Sequence, residues 1–355
     1  MSAHMVIAVP KARLATLADP HDVAQIDAFV RAHPYGTPFH LTAWSRAVER
    51  GCGQLGRYLV AHADGALVGV LPLTEIHSPL FGRALVSAGF AVGGGVLAYD
   101  EGVAALLTQA AVTLAKRLSC PSVEFKGGFL PSDWHHDTST YCGFSRPLAA
   151  DDDAELLAIP RKQRAEVRKA LAFDLSVETG SSASDRAAHY QVYAASVRNL
   201  GTPVFPRALF SEVLDAFGNH ADILTVRYQG APVASVLSLY HNGVVMPYWG
   251  GGTAAARGLR ANELMYFALM RHARARGCTH FDFGRSKIGT GAAAYKKNWG
   301  FDPQPLGYAK YALDGQAPRS INPLDPKYAL QVKVWQKLPL ALANRIGPMI
   351  ARGLG

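Results

Sequence analysis

No stretch of this sequence strings together the roughly 18 to 20 apolar residues that a membrane-spanning helix needs. Its early apolar patch, Val6 to Val9, is short and is followed by Pro10, Lys11 and Arg13. A secretory leader carries its basic residues first and a longer apolar core after them, so no leader is read here and the chain is placed in the cytoplasm. Cysteine is scarce: Cys52, Cys120, Cys142 and Cys278 stand apart, with no C-x-x-C pair and no histidine at ligand spacing. That argues against a disulfide framework or a zinc site and leaves buried free thiols as the expectation. His135 and His136 follow Trp134 without an acidic partner at ligand spacing, so no metal is expected there either.

What is present describes a folded, positively charged protein. Apolar residues make up 49% and charged residues 18% of the 355, the balance of a globular chain rather than a disordered one. At this length two domains are the default. The net charge of +9 points to an anionic partner: a nucleic acid, a phosphorylated sugar, a phosphate-bearing cofactor or a membrane surface.

The strongest organisational signal is internal. Tyr58 to Leu73 and Leu224 to Leu239 each read as an apolar run, a turn (Asp64-Gly65, Gln229-Gly230) and a second apolar run. Each is a hairpin whose glycine supplies positive φ. A further strand ending in glycines follows each: Ala84 to Phe90 before Gly93-Gly94-Gly95, and Val244 to Trp249 before Gly250-Gly251-Gly252. Helices with spacing near 3.6 come next, Val103 to Leu118 and Ala261 to Arg276, then short strands Ser122 to Lys126 and Thr279 to Phe283, each led in by a cysteine. The period is about 160 residues, that of a duplicated domain rather than a solenoid. Expected boundaries are 1–150 for a first, degenerate copy, 151–315 for a second, and 316–355 for a Pro-rich segment and helical tail.

At the junction, Ala149 to Asp153 precedes a basic helix from Pro160 to Leu171, with Arg161, Arg164 and Arg168 on one face and Lys169 beside it. Such a stripe is either a solvated face or a clamp for phosphate, where guanidinium forks bind bidentately. A helix from Ala187 to Leu200 leads into Gly201 to Pro206, a loop stiffened by two prolines, with Phe205 a candidate for a pocket rim. The tail from Lys327 to Gly355 mixes Trp335, Leu342, Ile346 and Met349 with Lys333, Lys337, Arg345 and Arg352. It either lies on a membrane surface or packs on the second domain; packing is the expectation.

The densest polar and aromatic cluster runs from Phe281 to Phe301 and holds Asp282, Gly284, Arg285, Ser286, Lys287, Gly289, Gly291, Tyr295, Lys296 and Trp299. Its glycines allow a ligand close to the backbone, and Arg285 and Lys287 leave a strand's C-terminal end, where open α/β sheets bind ligands. Asp282 is a candidate base, or an anchor for an amine. Tyr248 and Trp249 end a core strand and are candidates for a cleft wall; as strand neighbours they should face opposite sides, one of them into the core.

Hairpin, strand, glycine break, helix, strand is the element order of the acetyltransferase (GNAT) superfamily core, so the expected fold is α/β (α+β), two tandem GNAT-like domains, each a mixed twisted sheet flanked by helices. Tyr295-Lys296-x-x-Trp299-Gly300-Phe301 resembles the aromatic-Lys-x-x-aromatic-Gly motif of FemAB-like transferases. The stretch from Asp282 to Pro303, with His40-Leu-Thr-x-Trp44, Pro160 to Arg164 and Tyr248 to Gly251, is similar to the FemAB-related branch associated with exosortase/PEP-CTERM exopolysaccharide clusters. The likeness covers most of the chain.

The resemblance implies transfer of an acyl or aminoacyl group to an amine of a cell-envelope, exopolysaccharide or peptidoglycan precursor, lipid- or nucleotide-linked, at the inner face of the cytoplasmic membrane. It places Lys296 beside the substrate, stabilising the transferring carbonyl or a diphosphate. The donor is aminoacyl-tRNA or acyl-CoA, with no tightly bound cofactor. No long helical arm of the kind some relatives are thought to use for tRNA is evident. Acetyl-CoA enzymes cradle pyrophosphate in an (Arg/Gln)-x-x-Gly-x-(Gly/Ala) turn that opens a helix. Here Ala255 to Asn262 keeps Gly258, with Arg260 at the second glycine and Asn262 as a cap or ligand. A covalent acyl-enzyme is not expected, because no histidine adjoins the cysteines or Ser286. An acetyl-CoA N-acetyltransferase and a non-catalytic scaffold remain the alternatives.

Overall fold

The computed structural model describes residues 9–313 and 329–355. The expected Pro-rich segment from Gln316 to Pro326 and the start of the apolar patch at Val6 lie outside them. The described residues form two compact units, one of 9–137 with 307–313 and 353–355, the other of 138–306 with 329–352.

In the first unit the strands are β1 (Lys11–Ala15), β2 (Leu55–Ala63), β3 (Ala66–Ser78), β4 (Gly82–Ser87), β5 (Leu97–Ala98), β6 (Ser122–Lys126) and β7 (His135–Asp137). The sheet runs β1-β2-β3-β4-β6, and a later strand, Tyr308–Ala312, inserts between β6 and β7. Its helices are α1 (Pro20–Ala32), α2 (Thr42–Cys52) and α3 (Glu101–Arg117). Asp100 caps α3 by accepting from the Val103 N–H at 3.0 Å, and Leu107, Ala111 and Leu114 turn its apolar stripe onto the sheet.

The second unit repeats this plan. Its strands are β8 (Tyr141–Pro147), β9 (Leu175–Gly180), β10 (Ala221–Tyr228), β11 (Ala231–His241), β12 (Val244–Gly252), β13 (His280–Asp282), β14 (Ser286–Lys287) and β15 (Pro303–Pro305), in the order β14-β8-β13-β12-β11-β10-β9, with β15 on β8. Its helices are α4 (Asp152–Ala158), α5 (Arg161–Leu171), α6 (Ala183–Asn199), α7 (Arg207–Phe217), α8 (Ala254–Gly258), α9 (Ala261–Ala275) and α10 (Gly291–Asn298), followed by α11 (Ala329–Lys337) and α12 (Leu340–Ala351).

The duplication reaches backbone detail. Both hairpin turns place two consecutive residues at positive φ, Asp64 (49°) with Gly65 (78°) and Gln229 (50°) with Gly230 (78°), the signature of a type I′ turn. A register shift sits at the same distance before each turn, between Ala61 and His62 and between Val226 and Arg227. Helices α3 and α9 end alike: a positive-φ residue, Ser119 or Gly277, then a cysteine whose N–H returns to Ala115 or Ala273. All four cysteines are buried free thiols.

Two expectations about the junction change. The strand Tyr141–Pro147, expected in the first copy, pairs with β13 in the second sheet, while the strand Tyr308–Ala312, expected in the second copy, pairs in the first. Each sheet thus includes a strand from beyond the expected boundary, so a division at 150 drawn along the sequence cuts across the pairing. The acidic run Asp151 to Asp153 is not the lead-in to the basic helix; Asp151 caps the separate helix α4 through the Ala154 N–H at 2.8 Å. The N-cap of α5 is Pro160, with no acidic residue in its first turn.

Candidate functional site

The site begins with a strand pair that parts. Parallel pairing between β12 and β13 holds at only two positions, Val244 with His280 and Val245 with Phe281. Beyond them β13 ends at Asp282, while β12 runs on to Gly252 through an irregularity at Tyr248, where Leu237 faces Trp249 and Ser238 faces Pro247. A parallel pair that stops early leaves open backbone and space between its C-terminal ends. A cavity of about 740 Å³ lies there. Its walls are Gly251 and Gly252 of β12, Thr253 at the cap of α8 and Arg257 within it, Asn262 and Tyr266 of α9, Phe283, the first turn and Tyr295 and Lys296 of α10, and the last turn of α6.

Glycine makes the opening possible. A Cβ on Gly251 would lie 2.4 Å from Ser196 Oγ, and one on Gly252 would lie 2.6 Å from Asn262 Oδ1. Gly251→Val is therefore expected to push α6 off β12 and to cost about 1–3 kcal/mol, the usual range for overpacking, seen as a lower urea midpoint.

Lys296 is half-buried on α10 and donates one hydrogen bond to the Arg285 carbonyl at 3.0 Å. Its Nζ lies 5.4 Å from the Phe283 ring and 5.5 Å from the Phe144 ring. Burial among these rings lowers its pKa to about 8, partly offset by the negative charge of Asp282. An ammonium has three donors, so two remain for a ligand. Asp282 is not a cavity-wall residue. It ends β13 behind Phe283 and accepts from the Gly284 N–H at 2.9 Å. Burial raises its pKa, and the Gly284 N–H and Lys296 pull it back. The expected base is thus a carboxylate that acts on Lys296 rather than on the cavity.

Of the residues expected at the site, Lys296, Tyr295 and Asn262 come together at the cavity. Asn262 is the second residue of α9 rather than its cap, and its Oδ1 is buried with no hydrogen-bond partner. Burial pushes the Tyr295 phenol well up. The others lie elsewhere. Trp299 is fully buried and packs in the core with Phe281, Phe283 and Phe301, because α10 turns that end of the motif inward. Trp249 is buried against Phe210, ring centroids 4.8 Å apart, and Phe205 lies 6.3 Å from it, so Phe205 backs a core tryptophan rather than a rim. Tyr248 and Trp249 do not take opposite faces cleanly: their rings stand 4.8 Å apart, since the strand irregularity at Tyr248 breaks the alternation. Arg285 and Lys287 reach the Tyr141 ring, at 4.5 Å and 5.6 Å, instead of the cavity.

The basic helix and the aromatic-lysine loop do not share one groove. Arg161, Arg164, Arg168 and Lys169 line a separate open depression of about 610 Å³, because Val167 and Ala170 turn the other face of α5 into the core. At the expected pyrophosphate turn the chain forms the short helix α8. Arg260 takes the left-handed conformation (φ 54°) that a glycine would favour, and its guanidinium is paired with Glu166. Neither Gly258 nor Arg260 lines the cavity; Arg257 does. Arg257 and Tyr266 were missed by sequence reasoning, although Tyr266 stands four residues from Asn262 on the same helical face. Among the described residues no three His, Cys, Asp or Glu side chains gather as a metal site requires.

In the first unit the equivalent strands also pair at two positions, Leu85 with Val123 and Val86 with Glu124. There the parting is filled by the chain itself. Val96 bridges to Gly128, a Cβ on Gly95 would lie 1.9 Å from the Gly127 carbonyl, and the loop is held by Trp44 Nε1 on the Gly89 carbonyl (3.0 Å) and His40 on the Gly95 carbonyl (3.1 Å).

Comparisons with known proteins agree with this architecture. Residues 160–297 match the acetyltransferase (GNAT) domain family. No curated protein matches the chain in sequence. Among solved structures it is similar to FemX, at 18% identity and a TM-score of 0.65 over 86% of this chain and 98% of that one. It is also similar to a tandem GNAT protein from the clavulanic acid biosynthesis pathway, at 13% identity and a TM-score of 0.56 over 87% and 100%. A third similar structure is the C-terminal domain of an Agrobacterium fabrum protein assigned as a lysylphosphatidylglycerol synthetase, at 15% identity and a TM-score of 0.54 over 82% and 91%. Among the described residues no helix is long and apolar enough to cross a membrane. Residues 160–297 thus match the acetyltransferase (GNAT) domain family, and the chain as a whole has a tandem GNAT fold.

Proposed function

We propose that the second unit transfers an acyl or aminoacyl group to an amine of a cell-envelope precursor, with Lys296 as the group that stabilises the transferring carbonyl. The observation that carries this reading is the half-buried ammonium, with donors to spare, on the wall of a cavity formed where two parallel strands part. Acyl transfer to an amine needs orientation, a proton acceptor and a donor for the developing oxyanion. Lys296 meets the last need in a site of low polarity, where one hydrogen bond counts for more than in water.

The residues present fit a phosphate-bearing donor. Arg257 and the start of α9 share one wall and suit a phosphate, whereas the buried, unpartnered Oδ1 of Asn262 would accept from an N–H or O–H elsewhere on the bound molecule. An acyl thioester of CoA would supply the activated carbonyl; an aminoacyl ester of tRNA would supply the same chemistry. The first unit, whose parting is filled by its own chain, is read as a non-catalytic partner.

Thermal unfolding with acetyl-CoA, longer acyl-CoA, charged tRNA and nucleotide sugars tests this. A true donor at about a hundred times its Kd contributes about 2.7 kcal/mol, expected as a rise of about 5 °C or more. Stabilisation by acyl-CoA alone selects the CoA-dependent reading, and by charged tRNA alone the aminoacyl one. No response to any donor, with no transfer to an amine, sinks the transferase reading and leaves a scaffold.

A further inference from the structure

The last helix is built inside out. The residues α12 buries are small, Ala343, Gly347 and Ala351, and a Cβ on Gly347 would lie 3.1 Å from the Val204 backbone nitrogen. Three of its large side chains face solvent, Leu342, Ile346 and Met349 (66% exposed), with Arg345 and Arg352 at helical spacing among them. On α11 the exposed face reads Leu330 (73% exposed), Lys333, Val334 and Lys337, again one stripe. Its other side is tied down through Arg198 Nη1 on the Gln336 carbonyl (3.0 Å) and Gln336 Nε2 on the Asn199 carbonyl (3.2 Å). The tail therefore packs, as expected from the sequence, α11 through Val332 and Trp335 and α12 through its small residues, yet each helix leaves a stripe of large residues out.

We propose that the exposed faces of α11 and α12 dock on an anionic lipid surface. Two successive helices that present large apolar residues to water need a cover, since scattered exposure does not produce matching stripes. Charge selects the cover. From Lys327 to Gly355 the sequence holds five Lys or Arg and no Asp or Glu, and each apolar stripe is interleaved with cations. A protein interface core is depleted of lysine, whereas at a bilayer Lys and Arg stems lie along the acyl boundary while their heads meet anionic headgroups. The surface also reaches the candidate site. Asn199 and Leu200, which end α6 and line the cavity, adjoin α11, and Leu200 is itself 70% exposed. If the transferase reading holds, the docked tail sets the cavity mouth beside a lipid-linked acceptor; the docking stands without it.

Flotation of the full chain with phosphatidylcholine vesicles, with and without phosphatidylglycerol, is the test, and it needs no acyl donor. Partitioning is expected onto phosphatidylglycerol vesicles only, weakening with salt. The variants Ile346→Glu/Met349→Glu and Leu330→Glu/Val334→Glu should each lower it about tenfold or more, with unchanged circular dichroism. Arg161→Glu/Arg168→Glu on α5 should retain most of it. The proposal is overturned if the full chain ignores anionic vesicles, if both tail variants bind as well as the parent, or if only the α5 variant loses binding. It also falls if light scattering shows a dimer that the tail variants dissolve, since the cover would then be a second copy.

Discussion

Replacing Lys296 by Met is expected to lower kcat/KM for acyl transfer by about 10²–10³-fold, the usual cost of removing one preorganised oxyanion donor. The side chain is nearly matched in volume, so the loss should be chemical. In the proposed role the ammonium form acts, and burial sets its pKa near 8, so kcat/KM should fall as pH rises through about 8. Lys296→Arg should abolish that alkaline limb, because a guanidinium does not titrate there. Asp282→Asn should move the limb to lower pH, since the Asp282 charge supports the ammonium. An unchanged limb in Asp282→Asn would remove it as a positioning residue. Stability carries the same signature with a definite sign. The folded pKa of Lys296 lies below its ordinary 10.5, so between about 8 and 10.5 the unfolded chain holds more protons than the folded one. Stability from this group therefore rises with pH across that window, and the penalty is fully present below it. The urea midpoint of the parent relative to Lys296→Met should therefore be higher at pH 10 than at pH 7.5.

Glu155→Ala should produce the largest loss of stability, about 3–5 kcal/mol. The Glu155 carboxylate is fully buried at the α4 end of the second unit. It accepts from Arg146 Nη2 at 2.5 Å and from the Ala149 N–H at 2.8 Å, with Arg274 Nη1 at 3.5 Å. Truncation leaves the Arg146 guanidinium, only 14% exposed, without its counter-charge and orphans a backbone donor. The chain would keep Arg146 over the Phe301 ring, 4.6 Å away, which offsets little of this. Glu155→Gln, which can still accept from Ala149, should cost less. The check is chemical denaturation monitored by circular dichroism; a change under about 1 kcal/mol for Glu155→Ala would show that water reaches this pair.

Local signals in the chain carried a large part of the fold. The turn pairs Asp64-Gly65 and Gln229-Gly230 encode their own backbone conformation, because few residues accept positive φ twice in succession. The 3.6 spacing of α3 and α9 and the strand Ser122–Lys126 are likewise properties of neighbouring residues, and Lys296, Tyr295 and Asn262 could be singled out as candidates from their motifs. Other features depend on partners far away in sequence. Nothing near Tyr141 says that its strand will pair beside Phe281, and nothing near Tyr308 says that its strand will pair beside Phe125. The side of α10 that faces the core separates Trp299 from Lys296, although both belong to one motif. Val167 and Ala170 take the core side of α5, which removes its arginines from the Lys296 cavity. Arg257 joined the site for the same reason: β12 and β13 part there, and no single segment encodes the parting. Turns and helices are written in short-range sterics and periodicity, whereas strand exchange, helix facing and the cavity arise from packing between segments as far apart as Ala312 and Ser122.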